Sequence, residues 1–247
     1  MKNFNLRSRQ VACLLLVVSI LVYGIDYLFT GSFRPIAEGF LGNFAFLPVY
    51  VLIVTLIIER VFRERERLAI RQKLNMVIGV FFSEVGTDLL RIFTSFIDDP
   101  TELRKRLNVT ASWGRREFAE ATGFLAAHDL RVDIRHADLP HLKEFLIGKR
   151  GFMLMLLENP NLLEHDDFTD LLWAVFHLVE ELEARASLAT LPLNDQEHLA
   201  GDIRRALRYL LREWVVYVHH LKEDYPYLFS LAVRMNPMNP QARAEIY

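Results

Sequence analysis

Apolar and polar positions are distributed along this chain in two different ways. Near the amino end two apolar runs, Val11 to Ile25 and Phe44 to Ile58, contain no charged residue. Beyond Arg60, apolar residues recur every three or four positions between charged ones. The first pattern belongs to helices apolar around their whole circumference, the second to helices that bury one stripe. A bilayer's hydrocarbon core is about 30 Å thick and takes about 20 helical residues at about 1.5 Å each. Val11 to Phe29 meets that length, with Asp26 near its outer end between Tyr23 and Tyr27, residues suited to the interface. The second run contains Pro48. A mid-helix proline loses a hydrogen bond and clashes with the preceding turn. The sequence therefore predicts an interfacial segment, Phe40 to Leu47, then a helix that begins near Pro48 and extends past Val61, a single kinked helix being the alternative.

The predicted fold class is all-α. A transmembrane hairpin (1–60, spans about 11–29 and 44–61) precedes a cytosolic multi-helix bundle (61–235) and a frayed tail (236–247) with Pro237 and Pro240. In the bundle, Leu68, Leu74, Val77, Phe81, Phe82, Val85, Leu89, Leu90 and Phe93 keep helical spacing, so the second membrane helix should continue into the cytosol. Asp98-Asp99-Pro100 should stop it and cap a short helix through Leu107. Further helices are predicted at Ser112 to Ala127, Leu139 to Leu157, Phe168 to Ala186, Asp195 to Lys222 and Pro226 to Met235. Arg131 to Ile134 is too short for a strand. Asn159-Pro160 and the polar turn Glu164 to Asp167 should start the helix at Phe168, and Asn194 or Asp195 should cap its partner. The short loop around Leu191-Pro-Leu-Asn makes these two antiparallel neighbours.

Charge orients the hairpin. Lys2, Arg7 and Arg9 precede the first span and only Arg34 lies in the connection, while Arg60, Arg63, Arg65, Arg67, Arg71 and Lys73 follow the second. Basic flanks are retained in the cytoplasm, so both termini should be cytoplasmic and the cluster should lie at the membrane surface. A cleaved signal peptide would also have a basic start, but the exit Tyr27-Leu-Phe-Thr-Gly-Ser-Phe-Arg lacks a small-x-small site and a second span follows. From Leu74 onward the chain holds nineteen basic and twenty-six acidic residues, which disfavours nucleic acid as a partner. The single cysteine, Cys13, lies in the first span, so neither an intrachain disulfide nor a cysteine metal site exists.

Candidate chemistry is confined to a few places. On a helical wheel Phe168, Leu171, Leu172, Val175, Val179 and Leu182 share one face, and Asp166, Asp170, His177 and Glu181 the opposite one, with Trp173 at its edge. The partner helix buries Leu199, Ile203, Leu207, Leu210, Trp214, Val218 and Leu221, and carries Arg205, Arg208, Arg212 and His219 on its far side. Asp170, His177 and Glu181 join carboxylates and an imidazole on one face and form a candidate divalent-metal site. The wheel turns them outward, as in a solvated face, and di-metal bundles use Glu-x-x-His where this chain has His177-x-x-Glu180. Arg205, Arg208 and Arg212 form a candidate site for a phosphate or lipid headgroup, with salt bridges to a neighbouring acidic helix as the plainer reading. His128, His136 and His141, with Asp129, Asp133 and Asp138, lie at spacings that match no familiar ligand pattern. His219-His220 suits a helix end. Lys149-Arg150-Gly151 lacks the glycines and the Ser or Thr of a phosphate-binding loop, and there is no Gly-x-Ser-x-Gly. No cofactor is predicted.

Asp224-Tyr-Pro-Tyr-Leu-Phe-Ser-Leu-Ala-Val-Arg, Glu158-Asn-Pro-Asn-Leu-Leu-Glu-His and Phe168-Thr-Asp-Leu-Leu-Trp-Ala-Val-Phe-His-Leu resemble segments of uncharacterised bacterial two-span integral-membrane proteins with a helical cytosolic domain. The resemblance covers mainly residues 150 to 235 and implies a bacterial inner-membrane location, without an activity to transfer. Three functional classes follow from the residues. The favoured one is a non-enzymatic, membrane-anchored helical interaction, scaffold or signalling module, whose partners are the lipid bilayer and a protein or a second copy of itself. The others are an oligomeric channel or transporter subunit, motivated by Asp26 as an intramembrane polar group, and a metal-dependent enzyme in the helical domain.

Overall fold

The computed structural model describes residues 2–135, 137–159, 162 and 165–245, without the side chains of residues 2–10, 12, 68, 69, 71 and 72. Among them the chain is helical, in the order α1 (Lys2–Thr30), α2 (Arg34–Phe81), a π-helical turn (Phe82–Gly86), α3 (Thr87–Thr94), α4 (Thr101–Arg106), α5 (Arg115–Ala127), α6 (Leu139–Leu157), α7 (Asp166–Ala184), α8 (Leu193–Asp224) and α9 (Pro226–Arg234). It divides into two compact units, Met1–Arg67 and Leu68–Tyr247.

In the first unit, Cys13–Thr30 and Arg34–Arg67 are long and apolar enough to cross a membrane, and none of their most apolar stretch is buried within the chain. The turn between the two helices is tighter than predicted. Gly31 takes a φ of 64°, a left-handed conformation that glycine adopts without strain, and its N–H donates to the Tyr27 carbonyl at 2.9 Å. Tyr27 packs against Phe33 with ring centroids 5.4 Å apart, and Tyr23 against Phe40 at 6.4 Å. α2 then begins at Arg34 and runs through Pro48, so Phe40 to Leu47 is part of the helix and not a separate interfacial segment. The proline deletes only the bond its own N–H would have made to Phe44, and the helix continues on both sides.

The second unit owes its core to the one-sided pattern. Leu74, Phe81, Phe82, Val85, Leu89, Leu90 and Phe93 are buried as their spacing predicts, whereas Val77 is partly buried and the side chain of Leu68 lies outside the described residues. In the π-helical turn the Thr87 hydroxyl donates to the Phe82 carbonyl at 2.7 Å. Phe81 meets Phe168 edge to face at 5.1 Å, and Phe82 stacks on Tyr217 at 4.8 Å. α7 and α8 form the central pair, with α6 against α7 and with α3, α5 and α9 against α8. All six predicted core residues of α7, and all seven of α8, are buried.

Helix ends depart from expectation in instructive ways. Pro100 stands at the N-cap of α4 without a capping bond, although Asp99 accepts from the Thr101 N–H at 3.0 Å. The α7 cap is His165, whose Nδ1 accepts from the Phe168 N–H at 3.1 Å; the expected start signals Pro160 and Glu164 lie outside the described residues. α8 begins at Leu193 behind Pro192, so neither Asn194 nor Asp195 caps it. Ile97 and Val132 form an isolated antiparallel bridge, the one extended pairing among the described residues. At the carboxyl end, where the sequence suggests fraying from Asn236, Asn236 and Met238 are each 1% exposed. The Asn236 amide donates to the Leu107 carbonyl and its oxygen accepts from the Met238 N–H, both at 2.9 Å.

Candidate functional site

The seam between α7 and α8 gathers the polar groups of this domain. His177 approaches Asp202 (3.5 Å), Glu181 approaches His198 (3.5 Å), and Asp167 approaches Arg212 (3.8 Å). Positions descend on one helix as they ascend on the other, which is antiparallel packing. The loop between the helices is clamped by Arg185. Its fork donates to both Asp195 oxygens, at 2.9 and 2.5 Å, and to the Glu181 carboxylate at 2.7 Å and the Glu181 carbonyl. Asp195, expected to cap α8, therefore ties down the loop before it instead. The Arg185 guanidinium holds the Glu181 carboxyl below the usual carboxylate range, with His198 and His177 adding to the effect, and it lowers Asp195 in the same way.

The predicted acidic strip is thus split. Asp170 is exposed and stands outside the cluster, and Trp173 is 60% exposed. His177 and Glu181, expected to face outward with them, are partly buried, because α8 packs against this half of α7. Two residues not singled out from the sequence complete the arrangement. His198 and Asp202 sit one turn apart on α8, and ligand-capable atoms of His177, His198 and Asp202 all lie within 4.8 Å of one another. The legible signal was the matched i, i+4 spacing, His177-x-x-x-Glu181 on one helix and His198-x-x-x-Asp202 on the next.

On the outer side of α8, Glu197, Arg204, Arg205, Arg208, Tyr209 and Arg212 line a groove of about 650 Å³. Arg205 lies 3.3 Å from Asp202 Oδ1, and Arg212 3.8 Å from Asp167. Arg204 and Arg208 are exposed and have no ion pair among the described residues. The three predicted anion-site arginines therefore share one groove, and Arg204 joins them.

The other candidates lie elsewhere. Arg60, Arg63, Arg65, Arg67 and Lys73 are exposed along α2, Arg63 pairing with Glu59 at 2.8 Å; the side chain of Arg71 lies outside the described residues. Asp26 is exposed and receives the Thr30 hydroxyl on its backbone carbonyl. His136 lies outside the described residues, His128 stacks on Phe124 at 4.5 Å, and the His141 N–H is held by the Asp138 cap of α6. His219 stacks on Phe118 at 4.5 Å, and His220 meets Asp224 at 2.8 Å.

Residues 2–62 match the family described as "MJ1433, N-terminal helical domain", and residues 70–234 the one described as "Uncharacterized protein MJ1433, C-terminal helical domain". The chain belongs to the MJ1433 family. Its relative in Methanocaldococcus jannaschii, described as "Uncharacterized protein MJ1433", is 43% identical over 229 residues, covering 93% of this chain and 92% of that protein. No solved structure matches. The relative is archaeal, so the bacterial origin implied by the sequence resemblance is not supported. The two family domains meet between residues 62 and 70, the interval that contains the boundary between the compact units.

Proposed function

We propose that this MJ1433-family chain is a membrane-anchored binding module: α1 and the first part of α2 cross the bilayer with both termini cytoplasmic, and the α8 groove receives an acidic segment of a protein partner. The anchor reading is supported by the apolar side chains of the first unit, most of which are exposed among the described residues. Leu28 and Phe29 are 82% and 88% exposed, and Ile20 is 70% exposed. A helix belonging to a soluble core would bury one face, and water around both helices would be unfavourable at about 25 cal/mol per Å². The basic run from Arg60 to Lys73 is suited to an anionic leaflet.

The observation that carries the binding role is the pair Arg204 and Arg208, two exposed guanidiniums in a concave surface that make no ion pair among the described residues. Arginine forks recognise carboxylates in two-point contacts, so an acidic peptide segment fits. Crosslinking in native membranes tests both halves. The protein should remain in the pellet after an alkaline carbonate wash and should form a heteromeric adduct that Arg204→Glu with Arg208→Glu abolishes. Release by carbonate would defeat the anchor, and exclusively monomeric protein, or an adduct indifferent to the charge reversals, would defeat the binding role.

A further inference from the structure

The α7–α8 seam holds two i, i+4 pairs that face one another, His177 with Glu181 and His198 with Asp202. This spacing brings side chains to one side of a helix and is the one that helix-borne zinc ligands use. Asp202 decides the matter. It is 3% exposed, and its Oδ2 has no hydrogen-bond partner, while Oδ1 lies 3.3 Å from Arg205 Nη1. A buried carboxylate oxygen left without a partner is costly and calls for an explanation. Two imidazole nitrogens point at it: His198 Nε2 at 3.3 Å and His177 Nε2 at 3.5 Å. Those separations exceed the ~2.7–2.9 Å of a charge-assisted hydrogen bond. They are close to the edge of about 3.3–3.4 Å that a tetrahedron has when its arms are the ~2.0–2.1 Å of zinc to nitrogen or oxygen.

We propose that His177, His198 and Asp202 bind a divalent first-row transition metal ion, with the fourth position open to solvent. Glu181 stands beside the three ligands, its Oε2 3.5 Å from His198 Nε2 and its Oε1 3.8 Å from His177 Nε2. Two neutral imidazoles and the Asp202 carboxylate, with the Glu181 carboxylate beside them, offset a dication's charge, and this mixture of nitrogen and oxygen donors suits zinc, iron, cobalt or nickel better than calcium or magnesium. Outer partners are already in place. Arg205 holds the far oxygen of Asp202, and Arg185 orients Glu181. The His177 and His198 side chains are 42% and 53% exposed, so the ion enters directly from solvent. Its effect is to staple α7 to α8 beside the loop that joins them, coupling metal occupancy to the stability of the domain. The site is independent of the anchor and adjoins the arginine groove, whose lining includes His198 and Asp202; metal titration reads it separately from partner crosslinking.

Zinc titration against a chromophoric chelator, on the full chain stripped of metal in detergent micelles, tests the site. One saturable zinc per chain is expected, with affinity reduced about a hundredfold or more by His177→Ala, His198→Ala or Asp202→Asn. Asp170→Ala and His141→Ala should leave it unchanged, and cobalt should give the intense visible bands of a tetrahedral centre. His198→Ala alters a half-exposed side chain and keeps the test decisive where Asp202→Asn disturbs folding. Absence of stoichiometric binding of both zinc and cobalt, or binding that survives His177→Ala combined with His198→Ala, overturns the proposal.

Discussion

α1 and α7 are both rich in Leu, Val and Phe, yet they use these residues in opposite ways. In α7, Leu171, Leu172 and Val175 are each 0% exposed, whereas in α1 Leu14, Leu15 and Leu16 are each more than 60% exposed. The difference is one of arrangement. α7 gathers its apolar residues on one face and gives the rest of its surface to Asp170, His177 and Glu181, whereas α1 from Val11 to Ile25 has apolar residues all round and no charged face to show to water. The first arrangement makes a core; the second is the pattern of a helix that lies buried in a large core or in a membrane.

The largest expected effect breaks this contrast at its packed side. Phe168 is 0% exposed and meets Phe81 edge to face at 5.1 Å. Phe168→Ala should lower the stability of the second unit by about 3–5 kcal/mol. Phe29→Ala, at a side chain 88% exposed, should leave the same transition in place. Denaturant unfolding in detergent, followed by tryptophan fluorescence, measures both, since Trp173 and Trp214 lie in the second unit. Equal effects would mean that the first unit's apolar residues also contribute to folding of the bundle. The reverse experiment places a charge in the uncovered helix. Leu16→Arg should disfavour membrane insertion by about 3 kcal/mol, read as the inserted fraction in a microsomal assay. No loss of insertion would remove α1 as a span.

A smaller effect comes from a charge the core fails to accommodate. Glu213 is 3% exposed, and its Oε2 has no hydrogen-bond partner. Burial pushes its carboxyl up to about 7; the nearby Asp167 carboxylate adds to the rise and Arg212 opposes it. The folded state thus holds the proton more tightly than the unfolded chain, whose glutamate titrates near 4.5. Stability from this group is complete below pH 4.5, declines as the unfolded chain ionises, and is gone once pH has risen through about 7, a loss on the order of 3 kcal/mol. Glu213→Gln should flatten that part of the stability profile and gain on the parent chain as pH rises from 5 to 8, as measured by denaturant midpoints. A profile unchanged by the substitution would assign the pH dependence to other groups.

Much of this architecture was legible because a 3.6-residue period is a local signal. It placed α6 at Leu139–Leu157 and picked out the buried faces of α7 and α8. What it did not reveal depends on contacts made at a distance. The spacing of Leu199, Asp202, Ile203 and Ala206 puts the aspartate on the buried stripe of α8, but nothing local says that His198 would meet His177. That register is set by how α7 lies on α8 once Arg185 has closed the loop. The burial of Asn236 likewise rests on a carbonyl at Leu107, far away in sequence. Pro48 misled for the opposite reason: a local rule about proline was overridden by the helix-forming apolar residues around it.

The smallest effect compares two glycines. Gly24 in α1 has nothing within 4 Å of where a Cβ would lie, whereas a Cβ on Gly86 would stand 2.5 Å from Phe82 Cδ1 and 2.8 Å from Phe81 Cε1. Alanine is favoured over glycine within a helix by about 1 kcal/mol, so Gly24→Ala should be neutral or slightly favourable to α1. At Gly86 that gain is opposed by the two rings, which have little room to retreat: Phe81 is held against Phe168 and Phe82 is stacked on Tyr217. Overpacking typically costs about 1–3 kcal/mol, which leaves Gly86→Ala destabilising by up to about 2 kcal/mol after the propensity gain of about 1 kcal/mol. Thermal unfolding of the two variants in the same detergent separates the outcomes. A stabilised Gly86→Ala would show that the π-helical turn can relax into regular α-helix, and that the aromatic cluster around Phe81 and Phe82 does not require glycine at this position.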